Sequence, residues 1–523
     1  MAPVKALAIA QHGVAMPPVE QRIQQALNDR SLGSEGLFHS LSLLLSAGGD
    51  RRILSDPFTG RNRYGTRTTL AEDEISFAST TASNVSARGL AAAGHELQRL
   101  FGMDTPSSVT VDRWFDDLRA SIRHKLACGD AEIILAASGT DVELLAICMM
   151  AGLSTRPLTN ILIAPDETGS GVPLAAAGRH YSDLTALGRP VAAGAPLEGI
   201  SADRIDVCAI SIRNEIGQAR LPDEIDADLV AMVERELKRG RDVLVHVLDT
   251  SKTGLTGVTR QAARHVRGLA PGRVRVIVDA CQYRCSNAAV RQDIADGFMV
   301  AVTGSKFIAG PPFAGALLVP GSIAEELGSI VDLPAGLAEY TALYDWPETL
   351  RAGIGFAFGS ELNLGLGLRW VAALANLADS IAVDDGLQGL IKRQFAQLVR
   401  ARIGDIDGAF LHPEDDGEHL GSRAIVPMTI IDETGAFASF AQAQSIHLAM
   451  REAGEGPVCH LGQAVKLGSR SVLRVAASAL DIATVSGRMA LGNSLEEAFK
   501  PIESNLDIVF AKWAAIRATE RRA

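Results

Sequence analysis

The sequence predicts an α/β protein: a three-layer, mostly parallel sheet in a large domain, followed by a smaller α+β C-terminal domain. Three observations predict it. Short apolar runs alternate with helical stretches between residues 131 and 319. Those runs are apolar throughout rather than on alternate residues, as in strands covered on both faces. Beyond 320 the chain turns to longer helical stretches with one clear strand.

Taken in order, residues 17–60 read as one or two helices leading into a turn-rich stretch, SDPFTGRNRYG. Helices follow at 83–101 and 111–127. Strands are expected at 131–137, 159–164, 206–212, 243–248, 274–278, 297–302 and 314–319. Helices at 141–152, 172–178, 224–239 and 258–268 fit between them. The C-terminal part carries helices at 361–384, 388–404, 437–453 and 494–518, with a strand at 471–477. Three regions are therefore expected. Residues 1–80 form an N-terminal segment that contributes to the active site or a dimer. Residues 81–374 form the large domain and 375–523 the small one.

With 523 residues the chain has room for two domains and a large core. A net charge of −11 argues against a nucleic-acid partner, which needs a basic face. No apolar run reaches about 18 residues, so no membrane span is expected. The opening MAPVKALAIAQHGVAMPP has one lysine and a very short apolar stretch, so no cleaved signal is expected. Six cysteines are spread thinly, without CxxC spacing. Cys281 and Cys285 stand four apart with no second pair to complete a metal site. Reduced thiols and a cytoplasmic location are expected.

Ligands of parallel sheets sit beyond the strand carboxyl ends. After 131–137 comes Ser138-Gly139-Thr140-Asp141, opening a helix. Free backbone N–H groups and the helix dipole suit an anion there, although the same turn is also an ordinary N-cap. After 243–248 comes Asp249-Thr250-Ser251-Lys252-Thr253-Gly254. Asp279 ends an apolar strand, where a carboxylate is costly unless partnered. It reads as a cap or ion-pair member, or as the group that holds a proton on a heteroaromatic nitrogen. Lys306 stands after Thr303-Gly304-Ser305. It reads as a surface lysine, or as an amine that condenses with an aldehyde. Together the three features meet the needs of pyridoxal 5'-phosphate: an anion site, an acid for the ring nitrogen and a lysine for the aldehyde.

On ASGTDVE (137–143), VDACQ (278–282), VTGSKFIAGPPFAGALLV (302–319) and SVLRVAAS (471–478), the chain resembles fold-type I pyridoxal-phosphate enzymes of the class V aminotransferase and cysteine desulfurase branch. The resemblance implies a Schiff base through Lys306, which then moves the proton at the substrate Cα. It implies Asp279 against the pyridinium and Gln282 on the ring hydroxyl. Ser138, Gly139, Thr140 and Ser305 would hold the phosphate, and Arg474 the substrate carboxylate. It also implies a homodimer, with a small-molecule amino acid or amine as substrate.

The chain departs from that branch in two places. Pro165-Asp166-Glu167-Thr168-Gly169-Ser170-Gly171 stands where the branch keeps an aromatic to stack on the ring. That leaves His180, Tyr181 or an apolar neighbour for the task. Cys459, 15 positions before Arg474, sits at the distance of a desulfurase persulfide cysteine, in a block that does not match. It is a candidate nucleophile or a plain core thiol, and His460 has the same ambiguity. Lys252 reads as a solvated lysine. Asn214 and Glu215 follow a strand and are candidates to line the site. Arg61, Arg63 and Tyr64 are candidates for a second carboxylate or a phosphate.

The expected activity is amino transfer. Its alternative is a lyase or cysteine desulfurase type of C–S cleavage. A third reading is a regulator or scaffold that kept the fold without catalysis. A nicotinamide enzyme is disfavoured, because no GxGxxG follows a strand to open a helix.

Overall fold

The computed structural model describes residues 34–101, 106–329, 332–406, 409–411, 424–431, 434–454, 456–468 and 470–520. The helix expected within residues 17–60 lies partly outside these; its described part is Ser34–Leu45. Twelve strands are described, in two sheets. In chain order they are β1 (Ile75–Phe77), β2 (Glu132–Ala136), β3 (Leu158–Ile163), β4 (Ile205–Ile210), β5 (Asp242–Leu248) and β6 (Val274–Ala280). The rest are β7 (Met299–Thr303), β8 (Gly315–Val319), β9 (Ala409–Leu411), β10 (Ile425–Ile430), β11 (Cys459–Leu467) and β12 (Arg470–Ala476).

The large sheet has the order β2-β8-β7-β6-β5-β3-β4. β4, β3, β5, β6 and β7 run parallel, while β8 is antiparallel to both β7 and β2. Every residue of β3, β5, β7 and β8 is buried, which is why these strands read as continuous apolar runs. Helices Gly139–Leu153, Pro222–Lys238 and Arg260–Leu269 connect parallel strands and cover the sheet. The carboxyl ends of the parallel strands share one edge.

The smaller sheet has the order β1-β11-β12-β10-β9. β1, from the N-terminal segment, pairs parallel with β11, with Ile75 opposite Cys459. The segment before 80 is thus sewn into the C-terminal sheet. The expected domain boundary at 374/375 falls inside the unbroken helix Leu364–Ile381, which packs against helix Ala87–Phe101. No single helix among the described residues is long and apolar enough to cross a membrane.

Candidate functional site

The carboxyl ends of β2, β3, β5, β6 and β7 open into a cavity of about 980 Å³. Ser138, Gly139, Thr140, Asp279, Gln282, Ser305, Lys306, Arg63 and Tyr64 all line it. Residues from four separate stretches of sequence therefore meet in one place.

The lysine loop is shaped by close packing. A Cβ on Gly304 would come within 2.7 Å of Ala373 Cβ, and one on Gly310 within 2.5 Å. Only glycine lets this loop lie flat on helix Leu364–Ile381. The Gly310 N–H donates to Gly304 O at 2.8 Å, and Asn376 Nδ2 donates to Ala309 O at 2.7 Å. Thr303 Oγ1 donates to Cys281 O at 2.7 Å, tying the ends of β7 and β6 together. The rigid loop leaves Lys306 half-buried at the cavity wall.

Asp279 faces the same cavity, and its Oδ1 accepts the Cys281 N–H at 3.0 Å. Cys281 lies beside both groups. Burial and then the Asp279 charge push its thiol well above the ordinary value, and the Lys306 charge opposes them. Behind Asp279 is a void of about 20 Å³, lined in part by Glu143 and His246.

Ser138 caps helix Gly139–Leu153: its Oγ accepts the Asp141 N–H at 3.3 Å and donates to Asp141 Oδ2 at 2.6 Å. Capping and lining the cavity thus coexist at this turn. Tyr181 OH donates to Asp141 Oδ1 at 2.5 Å. Burial, and then the nearby Asp50, raise the Asp141 carboxyl to about 6.

Several expected residues lie elsewhere. Cys459 is fully buried at the first residue of β11, outside the cavity lining, and its Sγ donates to Pro457 O at 3.4 Å. Burial raises its thiol above the ordinary value, and it packs in the core rather than on this cavity. His460 is bound to Glu74 at 2.6 Å. Burial alone would raise Glu74, but bonds from His460 and Arg61 hold its carboxyl at about 2. Arg61 is spent on that same carboxylate. His180 shares a hydrogen bond with Tyr340 OH at 2.8 Å and is absent from the lining, whereas Tyr181 lines it. Asn214 and Glu215 sit in an exposed turn and are not part of the cavity lining.

Arg474 is buried just behind the wall. Its guanidinium donates to Lys252 O at 3.1 Å and to Gln463 O at 2.5 Å, and both of those residues line the cavity. Burial lowers it to about 9, which leaves it a cation at neutral pH. Its Nε has no partner among the described residues.

Lys252 is not the solvated lysine that its sequence suggests. It is half-buried and lines the cavity. Its N–H donates to Glu167 O at 3.1 Å. The Glu167 carboxylate takes Ser251 Oγ at 2.7 Å, together with Arg213 and Thr253. Burial, and then the charges of Arg474 and Lys306, bring the Lys252 ammonium down to about 7. His447, on helix Phe440–Ala449, also lines the cavity and went unnoticed in the sequence. A histidine inside an apolar helix gives no local signal; only the packing of the helix over the cavity reveals it.

The residues present fit pyridoxal 5'-phosphate. Thr80 Oγ1 and Gln282 Oε1 are buried at the cavity wall without a partner among the described residues. A Cβ on Gly139 would come within 2.8 Å of Cys281 Sγ, so glycine keeps the cradle open. An amine, a carboxylate and a helix N-terminus face the same space.

No protein-family model and no curated protein matches the chain by sequence. Solved structures match it in fold. A NifS-like protein superposes with a TM-score of 0.52 at 10% identity, over 85% of this chain and 99% of that one. The cysteine desulfurase CsdA from Escherichia coli, in its S-sulfonic acid form, gives 0.51 at 15% identity over 86% and 96%. The apo cysteine desulfurase of Thermococcus onnurineus NA1 gives 0.52 at 12% identity over 85% and 95%. The chain has the fold of these proteins, which is the fold-type I architecture expected from the sequence.

Proposed function

We propose that this protein is a pyridoxal-5'-phosphate enzyme that acts on an amino acid through Lys306, by amino transfer. One observation carries the reading: Lys306, Asp279 and the Ser138-Gly139-Thr140 turn line a single cavity at the carboxyl edge of the parallel sheet. The fold likeness to cysteine desulfurases supports the cofactor part of this reading. When bound, the cofactor supplies an aldehyde for an amine and a protonated ring that accepts electrons.

The chain's own residues then have distinct tasks. Lys306 is the amine, and afterwards moves the proton at the substrate Cα. Asp279 holds a proton on the ring nitrogen through its carboxylate. The N–H groups of Gly139 and Thr140, with Ser138 and Ser305, hold the phosphate at the helix N-terminus. Gln282, whose Oε1 is unpartnered, would bind the ring hydroxyl. Arg474 and Lys252 supply positive charge for the substrate carboxylate. Arg63 and Tyr64 line the same cavity. A homodimer belongs to the same proposal, and sedimentation of the purified protein tests it.

Elimination or C–S cleavage is the second reading, favoured by the desulfurase fold. Transfer of sulfur to an enzyme thiol needs a reactive cysteine in the cavity. Cys459 is outside it, and Cys281, the cysteine that lines it, is held protonated by burial and Asp279. Amino transfer therefore stands first. Incubating the cofactor-loaded protein with amino acids and assaying keto acid, sulfide and alanine separates the two. Keto acid without sulfide supports amino transfer, and sulfide release overturns it. A protein that gains no visible absorption with added cofactor would sink both in favour of a non-catalytic role.

A further inference from the structure

Beyond Lys306 the cavity carries a set of nitrogen donors that the proposed chemistry does not use up. Arg474 and Lys306 both lie close enough to Lys252 to lower its pKa. Arg474 and Arg451 in turn both act on His447. Lys306, Lys252, His447 and Arg451 line the cavity itself, and Arg474 lies just behind its wall, against Lys252.

Three buried nitrogens of this set have no partner among the described residues. His447 is 3% exposed and lines the cavity, yet neither ring nitrogen has a partner among the described residues. Arg474 is 1% exposed and its Nε is unpartnered as well. Arg451 lines the cavity and spends one N–H on Tyr64 O at 2.6 Å. The carboxylates acting on Lys252 are Glu167, already held by Arg213, Ser251 and Thr253, and the exposed Asp166. Buried donors without acceptors are costly, and two buried cations beside each other are more so. An entering anion removes both costs.

A single α-carboxylate does not answer the whole set. On the reading proposed above, Lys252 and Arg474 take that group. His447, on helix Phe440–Ala449, and Arg451, just after that helix, remain on the cavity wall for the substrate side chain. We infer that the substrate is an amino acid with an acidic side chain, and that His447 and Arg451 bind this second acidic group. The inference rests on the cofactor reading for its direction, since Lys306 marks where Cα must sit. The anion site itself rests on the unpartnered donors. The local charge agrees: the chain carries −11 overall, while seven lysines and arginines line this one cavity against four carboxylates. Burial, and then Arg451 and Arg474, hold His447 down at about 3, so it is neutral and donates one N–H until an acid arrives.

Equilibrium binding tests this without turnover. The cofactor-loaded protein is titrated calorimetrically with succinate and with succinamate, which differ by one charge. The expected result is a preference for succinate of about 10- to 100-fold, the usual worth of a charged hydrogen bond. His447→Phe and Lys252→Met should weaken different ligands. His447→Phe should erase the preference and leave succinamate binding as it was; Lys252→Met should weaken both ligands. A merely structural role for His447 would weaken both ligands alike. L-aspartate and O-phospho-L-serine, titrated in parallel against asparagine and serine, tell a carboxylate from a phosphate. Equal binding of succinate and succinamate, or an undiminished preference in His447→Phe, overturns the inference. The visible band of the bound cofactor is read in the same samples. Its presence without the preference sinks the acidic substrate alone. The preference without the band keeps the anion site and sinks the cofactor reading.

Discussion

The carboxyl edge of the large sheet and strand β11 of the small sheet both carry reactive side chains, but they expose them differently. At the large sheet, Asp279 ends β6 and Lys306 follows β7, so the strand direction delivers both to the cavity. In β11 the residues that line the cavity come late, from Gln463 to Lys466. Cys459 and His460 come first. Four residues of strand put Cys459 about 13 Å from Gln463 along the chain direction. There its neighbour is Ile75 of β1 rather than any ligand. Spacing to Arg474 in sequence is thus a poor guide; which end of a strand a residue occupies decides whether it meets solvent and substrate.

That contrast can be broken, or sharpened, by substitution. The largest effect is expected at Lys306. Lys306→Ala should abolish the visible band and lower turnover by about 10³-fold or more, read by absorption and steady-state kinetics. Asp279→Asn comes next: kcat should fall roughly 10²- to 10³-fold while the phosphate end of the site still binds cofactor, checked by equilibrium dialysis.

A smaller effect concerns acid stability. Burial holds His447 at about 3, below the 6.5 or so of an unfolded imidazole. Its contribution to folding is complete above pH 6.5 and drains away as pH falls toward 3, because the unfolded chain takes the proton first. The urea midpoint should therefore drop across that window, and His447→Phe should flatten the drop. The smallest effect on activity belongs to the contrasting region. Cys459→Ser should leave kcat unchanged and cost about 1–3 kcal/mol of stability, since it buries a hydroxyl in a core position. A large loss of turnover there, with the fold intact, would erase the distinction between the two regions.

Much of this was legible in the sequence, and for stated reasons. The parallel strands are buried on both faces, so they read as apolar runs, and the loop beyond each one had to carry the chemistry. Lys306, Asp279 and the Ser138 turn were found that way. The small sheet was harder. β1 has three residues and finds its partner almost 400 positions later, which no local pattern announces. The sequence misleads at Lys252 because its neighbours Glu167 and Arg474 lie far away along the chain. His447 gave no signal because a helix pattern does not say what the helix leans on.

The central claim is that Lys306, and not its neighbour Lys252, is the amine that carries the cofactor. Borohydride reduction of the protein with pyridoxal 5'-phosphate, followed by peptide mass mapping, tests it most directly. The account predicts a stable pyridoxyl adduct on Lys306 alone. An adduct on Lys252, or spread over surface lysines with Lys306 unmodified, would contradict it.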